Sequence, residues 1–149
     1  MHQPDVIDLT ETHHTEEPPE IENYTFVGTK APATNKSGTG IYIKNYRGTS
    51  QRVQIAHKDP ITSSRITAHI YNNMYLIEAY APCQGKRIED FYEYLNTYAT
   101  DASLKGLPLL VMGDFNGHIE GWYSDHTNTN GQALIDFAEY WGLEILPTS

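Results

Sequence analysis

Residues 111–121 read VMGDFNGHIEG, and the reading of this stretch decides the rest. An apolar run ending at Met112 turns abruptly into Gly-Asp-Phe-Asn, with an acid and an amide two residues apart. An acid placed there can cap a turn, hold a metal or move a proton. Gly106-Leu107-Pro108 breaks the chain just upstream, so Leu109–Met112 reads as a short strand with Asp114 just past its carboxyl end. Open α/β sheets place their ligand crevices at such strand ends.

Glu11 has the same setting, just after the apolar run Val6–Leu9. Two carboxylates brought together at strand tips repel, which raises one pKa or recruits a cation. Oxygen ligands with no Cys and little His nearby favour Mg²⁺ or Mn²⁺ over zinc. Asn116 adds an amide suited to orienting a water or a phosphate oxygen. Residue types alone leave a turn-capping use of Asp114 and Asn116 open beside the metal use.

Outward from this stretch, strand-like runs fall at Tyr24–Val27, Ile41–Lys44, Arg52–Ile55, Ile66–Tyr71 and Met74–Tyr80. Asn72-Asn73 between the last two predicts a tight hairpin, because Asn tolerates the left-handed backbone such turns need. Pro82 closes the strand ending at Tyr80, since proline donates no ladder bond. Ile88, Phe91, Tyr92, Leu95 and Tyr98 form one apolar stripe at helical spacing, with Glu89, Asp90 and Glu93 outside it. A second helix carries Leu134, Phe137, Ala138 and Trp141, with N-caps offered by Asn128–Asn130 and a stop at Gly142. Leu143–Leu146 reads as one more strand. The order predicts an α/β protein with mixed sheets and flanking helices.

The 149 residues suit one domain, 39% hydrophobic and 19% charged. No apolar run is long enough to span a bilayer and the N-terminus has no signal-peptide pattern, so no membrane role and an intracellular place, nucleus or cytoplasm, are expected. The lone Cys83 excludes an internal disulfide framework. The net charge of -9 is unevenly spread: residues 1–22 and 106–149 contain no Lys or Arg, and all ten basic residues lie between them. That basic footprint is modest for a protein gripping nucleic acid by its phosphates.

GDFN after an apolar strand, with ETH upstream and YAP between, resembles the endonuclease/exonuclease/phosphatase superfamily. DVIDLTETHH is similar to the segment holding its metal-binding glutamate, which implies Glu11. LIEAYAPCQG is similar to the strand ending in a phosphate-contacting tyrosine, which implies Tyr80. LLVMGDFNGHIEGWYS is similar to the catalytic loop, which implies Asp114 and Asn116. TNTNGQALIDFAEYWGLEILPT resembles the following region in endonucleases of non-LTR retrotransposons, which are similar to apurinic/apyrimidinic endonucleases. The resemblance implies a partial two-sheet α/β sandwich and Mg²⁺- or Mn²⁺-dependent phosphodiester hydrolysis on nucleic acid, DNA in this branch. It also implies a reverse transcriptase region in the full-length product. An inactive remnant retaining the fold and metal or nucleic-acid binding is the first alternative. A superfamily phosphatase or phosphodiesterase on another substrate is the second.

Departures from the family accompany the matches. Its opening strand carries an asparagine beside the metal, and its closing part carries a second aspartate and a Ser-Asp-His segment whose histidine contacts the scissile phosphate. Residues 1–149 are therefore expected to form an incomplete domain, with reduced catalysis, unpaired strand edges and an exposed apolar face. Ser124-Asp125-His126 spells the same letters but falls directly after GDFN, and reads as coincidence. Arg65 and His118 are weaker candidates for phosphate or nucleic-acid contact. His13 and His14 read as surface or supporting residues, and Cys83 as a loop residue.

Overall fold

The computed structural model describes residues 3–10, 12, 18–29, 38–45, 50–83 and 85–146. Among these residues, seven strands and three helices follow in the order β1 (Val6–Thr10), β2 (Tyr24–Gly28), β3 (Thr39–Lys44), β4 (Ser50–Val53), α1 (Pro60–Ser63), β5 (Ile66–Tyr71), β6 (Met74–Tyr80), α2 (Arg87–Leu104), β7 (Leu109–Asp114) and α3 (Thr129–Trp141). They build two sheets, β1-β3-β2 and β4-β5-β6-β7. All neighbours are antiparallel except β6 and β7, which α2 joins as a parallel pair.

The hairpin β5–β6 forms as the sequence predicts. Asn72 and Asn73 both take positive φ, 51° and 60°, which is the twist a two-residue hairpin turn requires. Strand β6 is buried on both faces, and its two-residue alternation sorts its side chains into two cores. Tyr75, Ile77 and Ala79 face the helices, where they meet Phe91, Leu95, Tyr98 and Phe137. Leu76 faces the other sheet, where it meets Val27, Ile41 and Ile43, with Val6, Tyr71 and Met112 at the margin. The aromatic stripe of α2 is thus core packing: Phe91 and Tyr98 are both essentially unexposed. Each such side chain contributes roughly 1.5–3 kcal/mol of burial.

Helix α3 is bounded by the residues its sequence offered. The Asn128 side chain accepts from the Gly131 N–H, and Gly142 takes a left-handed φ of 67° at the far end. One reading is corrected and one element is added. Leu143–Leu146 is not a strand: the Gly142 turn brings the Leu143 N–H back to the Ala138 carbonyl at 2.8 Å, Leu143 packs on the helix-side core, and no described strand offers the segment a ladder. The short α1 was not anticipated. Asp59 caps it by accepting from the backbone N–H groups of Ile61 and Thr62, a local bond that proline at the first helical position favours.

Gly113 is the residue that lets β7 lie against β6. Its φ is +136°, and a Cβ there would overlap the Ala79 carbonyl oxygen. Gly113→Ala is therefore expected to destabilise the fold by more than about 3 kcal/mol, combining a forbidden backbone conformation with a backbone clash. A urea unfolding midpoint unchanged from the wild type would contradict this.

Candidate active site

The parallel register of β6 and β7 sets Tyr80 beside Asp114. Past these two residues the chains are stitched together. The Ala81 N–H donates to the Asp114 carbonyl at 2.8 Å, and the Asn116 side-chain amide donates to the Ala81 carbonyl at 2.8 Å. The Asn116 N–H donates to Asp114 Oδ1 at 2.9 Å, and Asn116 holds a left-handed φ of 47° to make this turn. The turn-capping use of Asp114 and Asn116 is therefore real, and it leaves Asp114 Oδ2 outside that bond. Capping and chemistry are compatible here.

The TNTN segment secures the same loop from the far side. Asn128 Oδ1 accepts from both the His118 N–H at 2.9 Å and the Gly131 N–H at 2.7 Å, and its amide donates to the Asn116 carbonyl at 3.1 Å. Asn130, 1% exposed, donates to the Pro82 carbonyl at 2.7 Å. One asparagine thus caps α3 while its near neighbour ties α3 to the loop after β6.

Asp114 and Asn116 line a cleft of about 740 Å³ that also takes in Asp8, Trp122, Tyr123, Leu110 and Glu144. Its described lining carries acids and no Lys or Arg. The outer edge of β7 has no described strand neighbour, and Leu110 on it is 46% exposed.

Glu11 lies outside the described residues, as do His13 and His14. The strand before Glu11 does reach the site: β1 packs across β6 and β7, and its Asp8 lines the cleft with Asp114. Arg65 is buried. It donates from Nη1 to the Tyr80 carbonyl at 3.1 Å and lies over the Tyr80 ring at 5.2 Å, so it buttresses Tyr80 from beneath. His118 is exposed in the loop and stacks on His126 at 5.5 Å between centroids. Ser124, Asp125 and His126 bond mainly to one another. Cys83 is exposed.

Sequence reasoning missed Glu78. It is 0% exposed, and neither carboxyl oxygen has a hydrogen-bond partner among the described residues. Burial first, then the negative charges of Asp8 and Asp114, push its carboxyl up from 4.5 to about 11. The available signal was period two: in LIEAY, Glu78 shares a face with Leu76 and Tyr80, which is the face turned toward the other sheet. No His, Cys, Asp and Glu trio among the described residues stands at metal-binding geometry.

A family model described as endonuclease-reverse transcriptase matches residues 74–149. The chain belongs to this family. The match begins at β6 and spans the Tyr80, Asp114 and Asn116 segments. Among solved structures, the chain resembles the endonuclease domain of TRAS1, a telomere-specific non-LTR retrotransposon, at 17% identity and a TM-score of 0.64, covering 87% of this chain. It also resembles the AP endonuclease LMAP from Leishmania major at 15% identity and a TM-score of 0.69, covering 91% of this chain. These likenesses show the fold, and the chain spans 57% of the length of each. No curated protein matches by sequence. No described helix is long and apolar enough to cross a membrane.

Two outcomes follow. Asn128→Ala removes a helix cap and the tie to Asn116, and is expected to cost about 1–3 kcal/mol in chemical denaturation. Glu78 holds a proton when folded that it releases when unfolded, so its contribution to stability is full below its unfolded pKa and fades as pH climbs toward about 11. Glu78→Gln removes this dependence. Its stability relative to the wild type should rise between about pH 5 and about pH 9, by up to roughly 1.4 kcal/mol per pH unit. Parallel stability curves for the two proteins would contradict the assignment.

Proposed function

We propose that this chain carries the catalytic centre of a divalent-metal-dependent phosphodiesterase, a retrotransposon-type endonuclease that cuts one strand of DNA. The observation that carries the reading is the Asp114–Asn116 turn, locked by one backbone and two side-chain hydrogen bonds beside the Tyr80–Ala81 end of β6 at the rim of an acidic cleft. Preorganised groups of this kind act without reorganising during reaction.

The donor chemistry fits a hard cation. The cleft offers carboxylate and amide oxygens, and its acidic lining repels a phosphate unless a cation lies between them. Glu11 would hold Mg²⁺ or Mn²⁺. When bound, the ion supplies charge neutralisation at the phosphate and the leaving oxygen. Asp114 orients the attacking water and accepts its proton, or serves the leaving group, while the Asn116 N–H fixes its other oxygen. Tyr80 donates to a phosphate oxygen, its position held by Arg65. His118 lies within the loop flanking the cleft, where it reaches toward nucleic acid.

The family's description joins endonuclease to reverse transcriptase, which supports a reverse transcriptase region in the whole product. The same description favours a nuclease over a phosphatase acting on small substrates.

The expected result is nicking of supercoiled plasmid in Mg²⁺ or Mn²⁺, abolished by chelation. Asp114→Ala should lower it by about 10²–10⁴-fold, and Tyr80→Phe by about 10-fold or more. Cutting by the wild type no faster than by Asp114→Ala, with either ion, would overturn the reading in favour of a non-catalytic remnant.

A further inference from the structure

The segment between β7 and α3 is tied down on both sides of its tip. The Asn128 N–H donates to the His118 carbonyl at 3.0 Å, and the Glu120 N–H donates to Thr127 Oγ1 at 3.0 Å. Within the tip, the Trp122 N–H donates to the Ile119 carbonyl at 3.0 Å and the Gly121 N–H to the Ser124 carbonyl at 3.1 Å. The rings of His118 and His126 stack across the loop, 16° from parallel. This bracing presents two adjacent aromatic side chains. Trp122 is 38% exposed and Tyr123 84% exposed, and both line the cleft that holds Asp114 and Asn116.

Tyr123 holds a left-handed φ of 59°, a conformation costly for a bulky residue. Glycine adopts such backbone freely, as the nearby Gly121 does at 86°. Burial does not offset the strain, because the Tyr123 side chain lies mostly in water. The fold therefore gains little from a ring at this position, whereas a ligand with a flat face would use it. Backbone outliers of this kind gather at ligand sites.

The lining decides which half of a nucleotide fits. Asp8, Asp114 and Glu144 lie along the cleft with no Lys or Arg among its described walls, so these walls repel a phosphate. A nucleobase is uncharged, offers a π face to an aromatic side chain, and carries amino groups that carboxylates accept. In a closed duplex the base faces are covered by their stacked neighbours. Only an unstacked base has a face to give.

We propose that Trp122 and Tyr123 form a stacking platform for an unpaired nucleobase of the strand entering the cleft, so that this chain favours single-stranded or locally opened DNA over closed duplex. The inference rests on the nuclease reading and deepens it by naming the form of the substrate. The two residues touch the base, not the scissile phosphate, and they set which DNA is held rather than how it is cut.

The test is a binding measurement on the full chain in Mg²⁺. The probe is a dye-labelled single strand of about eight nucleotides, with phosphorothioate linkages so that cutting does not compete, read by fluorescence anisotropy. A second probe has the same linkages and abasic sites throughout. The wild type is expected to bind the base-containing strand at least about fivefold more tightly than the abasic one, which is the scale of one base stacked on an aromatic ring. Equal binding of the two strands overturns the proposal.

Trp122→Ala and Tyr123→Gly should each lose about fivefold or more for the base-containing strand and leave the abasic strand within about twofold. Trp122→Phe, which keeps a ring, should recover most of the loss. Tyr123→Gly relieves the backbone strain, so its urea midpoint should equal or exceed the wild-type value while its affinity falls. Variants that bind the base-containing strand as the wild type does overturn the platform, as does tighter binding of a matched closed duplex. Plasmid nicking by the wild type no faster than by Asp114→Ala sinks the nuclease reading instead, and the comparison of the two strands then decides the platform without reference to turnover.

Discussion

The parallel register between β6 and β7 is the constraint on which the site depends. It sets Tyr80 opposite Asp114, and it requires a residue without a side chain at Gly113, where a Cβ would strike the Ala79 carbonyl. Once the register is set, the GDFN turn has one place to go. Its amides reach the Ala81 and Asp114 acceptors, and the TNTN segment closes over it through Asn128 and Asn130. Most of these acceptors are backbone carbonyls of ordered strands and their ends. The candidate catalytic turn therefore inherits the rigidity of the sheet, which positioned chemistry requires.

The space between the two sheets changes character along its length. At one end it is filled by Val6, Val27, Ile43, Leu76 and Tyr71, an ordinary apolar contact. Toward the strand tips it admits Thr39 bonded to Thr67, then Glu78 with Asp8 and Asp114 around it. Burying such groups opposes folding, and a protein selected for stability alone would fill the space with hydrocarbon. The helix-side core, with Phe91, Leu95, Tyr98 and Phe137, supplies the compensating burial. Buried ionisable groups with displaced pKa values gather at functional sites, and here they lie directly beneath the cleft.

The acidic lining of that cleft also bears on what can enter it. With Asp8, Asp114 and Glu144 along its described walls and no Lys or Arg among them, it attracts cations before it attracts polyanions. A phosphodiester approaches such a surface only with counter-charge in place. Of the basic residues in the middle of the sequence, none that is described lines the cleft.

Much of this protein is legible in its residues taken in order. Two asparagines between apolar runs specify a hairpin, because few other residues accept left-handed backbone twice in succession. The spacing of Ile88 through Tyr98 specifies a helix, because that period alone gathers apolar groups on one side. The GDFN turn announces itself by the abrupt change from apolar to polar side chains. Other features follow only from tertiary structure. Leu143–Leu146 has strand composition, but a strand exists only with a partner to bond, and a local pattern does not reveal a missing partner. Asn128 and Asn130 look interchangeable until α3 is set against the loops after β6 and β7. Glu78 reads as a polar interruption in LIEAY, and becomes a buried acid only when a second sheet, built from β1, β2 and β3 far earlier in the chain, closes over it. Local patterns govern each element's shape, but what one element meets is decided by packing between distant parts of the chain.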